Sequence, residues 1–240
     1  RADSAGTDEQ CAVFVKGNSC TLKDPASEQK ENRFAFDHSF WSFDARDRKY
    51  ASQLEVFETL GRPIVATAFE GYNGTLIAYG QTGSGKTHTM TGAPEGEHAG
   101  LEPRVIDALF DPAYPRGLSD AFVEMSKLEV YNEKVYDLLN PSSALRVRET
   151  KQGIYVEGLT TVLCEHARAA LMFMAMGEQF RSTARTKLNE TSSRSHAITE
   201  LRVTQTVAGA ACAADGGGGH QPRRASKISL VDLAGSERAK

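Results

Sequence analysis

Hydrophobic and polar positions change period several times along the chain, and each change marks a different element. Cys11 to Val15 and Cys20 to Lys23 alternate on either side of Gly17-Asn18, which predicts a small hairpin, and Arg33 to Phe36 is another short strand candidate. Leu54, Phe57, Val65, Ala68 and Phe69 fall on one helix face whose period breaks at Gly61-Arg62-Pro63, where a kink is expected. The apolar run Thr75 to Tyr79 predicts a strand, followed by a glycine-rich loop and a helix. Pro103 opens a short helix through Phe110, Phe122 to Val130 reads as a strand, and the stretch around Glu129, Tyr131 and Tyr136 reads as core strand and hairpin without chemistry. Ala167 to Gly177 reads as a buried helix whose Met172, Met174 and Met176 fill the core. Ala197 to Val207 and Lys227 to Val231 complete the strands; between them GAACAADGGGGHQPRRAS is a low-complexity loop, because four consecutive glycines lose much entropy on ordering. Strands interspersed with helices predict a layered α/β fold, with no internal repeat and no domain boundary.

Composition agrees: 240 residues, 40% hydrophobic and 25% charged, suffice for one substantial core. The longest apolar run, Ala169 to Met176, is less than half of the roughly 18 to 20 residues a membrane span needs, so no span is expected. The start, RADSAGTDEQ, lacks the apolar centre of a secretory signal. Cys11, Cys20, Cys164 and Cys212 form no C-x-x-C pair, which argues for a reducing compartment and against a zinc site.

Charge is uneven. Residues 181–240 hold ten Lys or Arg against five Asp or Glu, a net of +5, which leaves −8 on residues 1–180 of a chain whose overall charge is −3. An acidic polymer would therefore meet the C-terminal side. Nucleic acid is not expected as a partner, because the chain lacks a basic stripe with interleaved aromatics.

The chemistry is concentrated in GTLIAYGQTGSGKTHTM, residues 74–90. Gly80, Gly85, Lys86 and Thr87 fit G-x-x-x-x-G-K-[ST]: small residues let backbone N–H groups converge on phosphates, the lysine reaches the outer ones, and the threonine hydroxyl holds Mg²⁺. Gln81, Thr82, Gly83, Ser84 and His88 complete the loop and the turn after it. A strand before and a helix after supply the context the motif requires, so the chain is expected to bind a nucleoside triphosphate.

Two downstream segments are candidates for the γ-phosphate. Asn189-Glu190-Thr191-Ser192-Ser193-Arg194-Ser195-His196 packs hydroxyls around a guanidinium, although such stretches are ordinarily solvated loops or helix caps. Asp232-Leu233-Ala234-Gly235-Ser236-Glu237 follows an apolar run; an aspartate ending a buried strand beside a phosphate loop holds Mg²⁺ through water, and Gly235 can offer its N–H to the γ-phosphate. Asp-x-x-Gly alone would be an ordinary turn.

Together, GQTGSGKTHTM, NETSSRSH and DLAGSE resemble the phosphate loop and the two switches of the kinesin motor domain, and AFEGYNGTLIAYGQT, LEVYNEKVYDLLNP and LRVRETKQGIYVEGL extend the resemblance over nearly the whole chain. The wording FWSFD, YASQ and LRVRE is nearest to the third kinesin family. The resemblance implies a phosphate-loop NTPase with a mixed central sheet and helices on both faces, an ATP hydrolase needing ATP and Mg²⁺, microtubules (tubulin) as partner, and a place in the cytoplasm on the cytoskeleton, and it is compatible with a full-length protein that is dimeric with cargo. It implies that Thr87, Ser193 and, through water, Asp232 organise the metal, while Asn189, Ser192 and Glu237 position the attacking water. Arg194 and Glu237 would form an ion pair closing the pocket, Gly235 would sense the γ-phosphate, and His88 would lie against adenine, unless it is simply a packed helix residue. Arg148 and Lys151 match a region that touches tubulin, and equally suit an exposed hairpin.

Departures matter too. Glu102 in Gly100-Leu101-Glu102-Pro103-Arg104 stands where kinesins usually carry an apolar residue. Against the family pattern, residues 1–240 read as a motor-domain fragment, without the first core strand, its Arg-x-Arg-Pro segment, or anything after the second switch. Two alternatives remain: a non-motile, degenerate kinesin that holds nucleotide or microtubules, and an unrelated phosphate-loop switch, the latter disfavoured by the absence of an Asn-Lys-x-Asp guanine-recognition segment.

Overall fold

The structure, a computed structural model, describes residues 11–24, 27–111, 121–141, 144–151, 153–188, 194–206 and 223–237. It comprises two compact units, Arg1–Ser52 and Gln53–Lys240, a division the sequence pattern does not mark.

The first unit is an antiparallel meander of β1 (Val13–Lys16), β2 (Ser19–Asp24) and β3 (Ser27–Ala35). The expected hairpin forms with Lys16 opposite Ser19, and Gly17 supplies the left-handed φ of 58° that the tight turn needs. β3 begins at Ser27 rather than Arg33. Its polar start carries no alternation to read, and there Glu31 is tied to Lys23 of β2 by a 2.8 Å ion pair.

In the second unit the interrupted helix is real, but its cause is a π-turn. α1 (Gln53–Val56) passes through Phe57–Gly61 into α2 (Arg62–Phe69), and the Arg62 N–H donates to the Phe57 carbonyl five residues back. Gly61 is needed for close packing: a Cβ there would lie 2.5 Å from the Phe57 ring. Pro63, in the first turn of α2, is where proline is tolerated.

Next come β4 (Gly74–Ala78), α3 (Lys86–Met90), α4 (Leu101–Phe110), β5 (Ala121–Tyr131) and β6 (Lys134–Asp137). The β5–β6 turn places Asn132 and Glu133 at φ of 47° and 62°, the two-residue hairpin geometry whose twist matches the strands. An exposed hairpin, β7 (Arg146–Thr150) and β8 (Gly153–Glu157), then precedes β9 (Val162–Cys164) and α5 (Ala167–Leu188). α5 runs well beyond Gly177, and of its three methionines only Met174 is fully buried, whereas Met172 is exposed; a spacing of two residues on a helix spreads side chains over different faces. β10 (Ser195–Thr206) and β11 (Arg223–Asp232) follow, so the end of the low-complexity stretch, Arg223 to Ser226, is strand; its glycines lie outside the described residues.

The sheet order is β4-β11-β10-β5-β6, with β9 also on β5. β4 and β11 are parallel and the remaining pairs antiparallel, which makes the sheet mixed, as expected. Alternate residues of β10 and β11, among them Leu201, Val203, Ile228 and Leu230, are buried against Val65, Met90, Val105, Ile106 and Met174 from α2 to α5. Register places the site: Ala78, the last residue of β4, pairs with Asp232, the last of β11, and Asp232 pairs in turn with Ala197 near the start of β10. Three strand ends therefore bring the phosphate loop, the start of β10 and the segment after β11 to one edge of the sheet.

Candidate functional site

The loop leaving β4 depends on glycine at positions where other residues would be strained. Gly83 and Gly85 adopt φ of 79° and 93° with open space around them, and Gly80, at φ 155°, also lies so close to Ser84 that a Cβ would be 2.7 Å from its hydroxyl. The loop therefore curls round on itself, and the Lys86 ammonium donates 2.9 Å hydrogen bonds to the carbonyls of Gly80 and Gln81.

Thr87 turns the other way. Its hydroxyl donates to Asp232 Oδ2 at 2.7 Å. Asp232 is 2% exposed; Oδ2 also faces the Arg181 guanidinium at 3.4 Å, while Oδ1 is buried and has no hydrogen-bond partner among the described residues. An unpaired carboxylate oxygen beside a threonine hydroxyl fits a hydrated divalent cation. Among the described residues no group of three His, Cys, Asp or Glu could hold a metal unaided, so a cation here would arrive with the ligand's phosphates.

The segment after β11 is laid against the loop. Leu233 N–H donates to the Ala78 carbonyl, Ser236 N–H to the Gly80 carbonyl at 3.0 Å, and Ala234 N–H to His196 Nδ1 at 3.0 Å. Gly235 is in tight contact: a Cβ would lie 2.5 Å from both Glu237 carboxylate oxygens and from the Thr82 hydroxyl. Glu237 accepts from the Thr82 N–H at 2.8 Å and from the Thr82 hydroxyl. These bonds, the Thr82 hydroxyl first, hold its carboxyl below the usual carboxylate range, with a smaller contribution from the Lys86 charge.

Of the expected residues, Gly80 to His88, Asp232, Gly235 and Glu237 come together. Arg194 is exposed immediately before β10, and Glu237 accepts from Thr82. Asn189, Ser192 and Ser193 lie outside the described residues. His88 does more than pack: Gln53 Nε2 donates to its carbonyl at 2.6 Å and lies 3.1 Å from its Nδ1, which fixes the ring. Arg148, a candidate for tubulin contact, is paired with Glu157 on its own hairpin at 2.9 Å.

Sequence reasoning missed Gln53 and a buried cluster behind Asp232. Arg181, 1% exposed, reaches Asp232 and Glu129 at 3.4 Å each, and the Ser195 carbonyl and hydroxyl at 3.4 and 3.5 Å. Glu129 thus shares its ionic partner, Arg181, with Asp232. Its signal was a charged residue interrupting an apolar strand.

The kinesin motor domain model matches residues 2–240. Kinesin-like protein KIF13A of Mus musculus is 43% identical over 95% of this chain and 13% of its own length, and kinesin-like protein unc-104 of Caenorhabditis elegans is 42% identical over 96% and 14%. A KIF14 dimer solved with AMP-PNP in complex with a microtubule superposes with a TM-score of 0.80 at 42% identity, covering 95% of this chain and 63% of that one. The chain thus spans about one seventh of the length of these two curated relatives and under two thirds of the solved chain. The phosphate loop, the strand-end aspartate laid on it and a family match along the whole sequence lead to one conclusion: this chain belongs to the kinesin motor domain family.

Proposed function

We propose that the chain is the nucleotide-hydrolysing part of a microtubule motor. One observation carries this: the 2.7 Å bond from Thr87 to Asp232 joins the phosphate loop to the strand that leads into the second switch, so whatever occupies the loop is felt at the switch. In this reading ATP lies with its phosphates over Gly80 to Lys86, Lys86 exchanges the Gly80 and Gln81 carbonyls for the outer phosphates, and His88, steadied by Gln53, lies against adenine. Mg²⁺ would be held by Thr87, Ser193 and, through water, Asp232, and would neutralise charge on the phosphates. Asn189, Ser192 and Glu237 orient the attacking water, the Gly235 N–H reads the γ-phosphate, and Arg194 takes Glu237 from Thr82 as the pocket closes. Positioning and charge placement supply most of the catalysis, because phosphoryl transfer asks for little covalent work from the protein.

The partner in this reading is the microtubule, on which one member of the family was solved; in the same reading the activity belongs at the cytoskeleton, in the cytoplasm. The test is ATP turnover by the purified chain with and without microtubules, with EDTA as control. Metal-dependent turnover that microtubules accelerate supports the motor reading. Binding without turnover would leave a non-motile kinesin, and no binding would overturn the site.

A further inference from the structure

Glu102, the carboxylate at a family-apolar position, is 1% exposed. It is satisfied by a second departure from apolar patterning, Lys127 on β5, which is fully buried: Lys127 Nζ lies 3.1 Å from Glu102 Oε2 and 2.8 Å from the Thr199 hydroxyl, and that hydroxyl donates to Glu102 Oε1 at 3.2 Å. The pair is not an isolated core feature. Lys127 Nζ also lies 3.1 Å from Oε1 of Glu178 on α5, whose Oε2 faces Arg181 at 4.0 Å, and Arg181 faces Asp232. Charges alternate in sign from Glu102 through Lys127, Glu178 and Arg181 to the aspartate bonded to Thr87. Gly177, one residue before Glu178, makes room for this: a Cβ there would lie 2.8 Å from Lys127 Cδ.

We propose that Lys127, held by Glu102 and Thr199, is a positioning residue for the metal end of the nucleotide site, acting through Glu178 and Arg181 on Asp232. Arg181 is shared among three carboxylates, Glu129, Glu178 and Asp232, and its distance from each reflects their competing charge. By standing 3.1 Å from one oxygen of Glu178, the Lys127 charge weakens that competitor and leaves Arg181 closer to Asp232, where it offsets charge that a hydrated cation would otherwise feel. Buried pairs at such distances are only weakly screened, so the coupling survives in salt. The proposal rests on the nucleotide-site reading above.

The test measures retention of N-methylanthraniloyl-ADP by the 240-residue chain as free Mg²⁺ is varied, with melting in EDTA without nucleotide as a fold control. Glu102→Leu with Lys127→Met removes both charges while keeping volume, an exchange that buried ion pairs tolerate. Glu178, no longer facing the Lys127 ammonium, then draws Arg181 more strongly from Asp232, and the Mg²⁺ concentration at half-retention falls by roughly threefold or more. Glu178→Gln removes the competitor, leaves Arg181 to Asp232 and Glu129, and moves the midpoint the opposite way. Opposite shifts establish the relay, whereas a merely structural role moves melting and leaves the midpoint alone. Unchanged midpoints, or shifts in the same direction, overturn the proposal while the nucleotide site stands. A parent chain without Mg²⁺-dependent retention overturns the nucleotide-site reading itself. Should the core double variant not fold, Glu178→Gln decides alone: a raised midpoint supports the relay, and any other result refutes it.

Discussion

The Thr87 hydroxyl and Asp232 Oδ2 are 145 residues apart in sequence and 2.7 Å apart in space. Parallel pairing of β4 with β11 makes the meeting unavoidable once Ala78 and Asp232 are in register. Thr87→Val should therefore weaken Mg²⁺-dependent nucleotide binding by about tenfold, since it removes a hydroxyl bonded to a charged group, worth about 1.5 kcal/mol or more. Titration calorimetry in Mg²⁺ and in EDTA reads this, and the loss should appear only with metal present.

Lys86→Ala removes the one ammonium curled inside the loop, at the cost of two 2.9 Å bonds to carbonyls that remain reachable by solvent. Folding should change little, while triphosphate affinity should drop at least tenfold, because a charge-assisted contact contributes about 1.5 to 3 kcal/mol. Equal affinity for the parent and the variant by calorimetry would remove Lys86 from the site.

Glu237→Ala should leave ATP binding largely intact and stall hydrolysis, which a single-turnover experiment beside a binding curve separates. The Thr82 contact adds a pH signature. Glu237 has its pKa lowered from 4.5 in the folded chain, so the stability it contributes is present above that value and is lost as pH falls through the lowered one. Thr82→Val should bring the carboxyl back up, a shift followed by carbon-13 titration.

Cysteine reactivity should divide sharply. Burial pushes the Cys164 thiol from 9.0 up to about 11, so at pH 8 it is protonated and hidden, whereas Cys11 is exposed. Maleimide labelling mapped by mass spectrometry should modify Cys11 within minutes and reach Cys164 only after denaturation. Rapid native labelling of Cys164 would contradict its burial.

β4 is an edge strand of the described sheet, and Ile77 and Tyr79 are 60% and 76% exposed. An open apolar edge invites pairing with another chain. The purified 240 residues should self-associate as concentration rises, and Ile77→Lys should increase the monomer fraction in light scattering.

The site was legible because its chemistry sits in contiguous motifs: the loop after Thr75 to Tyr79 and the turn after Val231 announce themselves by glycine, lysine and aspartate spacing. Elements with a clear period, such as the hairpin around Gly17 and the strand through Phe122, were legible too. What escaped was tertiary. A π-turn leaves no period of its own, and Phe57 with Gly61 reads only as a break in helix pattern. Lys127 and Arg181 look like solvated charges until the chain is folded, since their partners Glu102, Glu178 and Asp232 lie on other elements or other turns. Glu102 was visible as an oddity, but its burial could not be read without the strand that carries its counter-ion.

Gly177 lies within α5, where glycine gives up roughly 0.5 to 1 kcal/mol relative to alanine. The long buried stem of Lys127 is what keeps alanine out, for a methyl group would press within 2.8 Å of a carbon whose ammonium is pinned at its far end. The two positions therefore have a permitted order of change. A descendant of this chain can gain the better helix former at 177 only after 127 has been shortened, and an ancestor could acquire a lysine at 127 only on a background that already had glycine at 177. Mutational histories through this part of the molecule should therefore pass, in either sense, through glycine at 177 with a shortened side chain at 127, because alanine at 177 crowds lysine at 127.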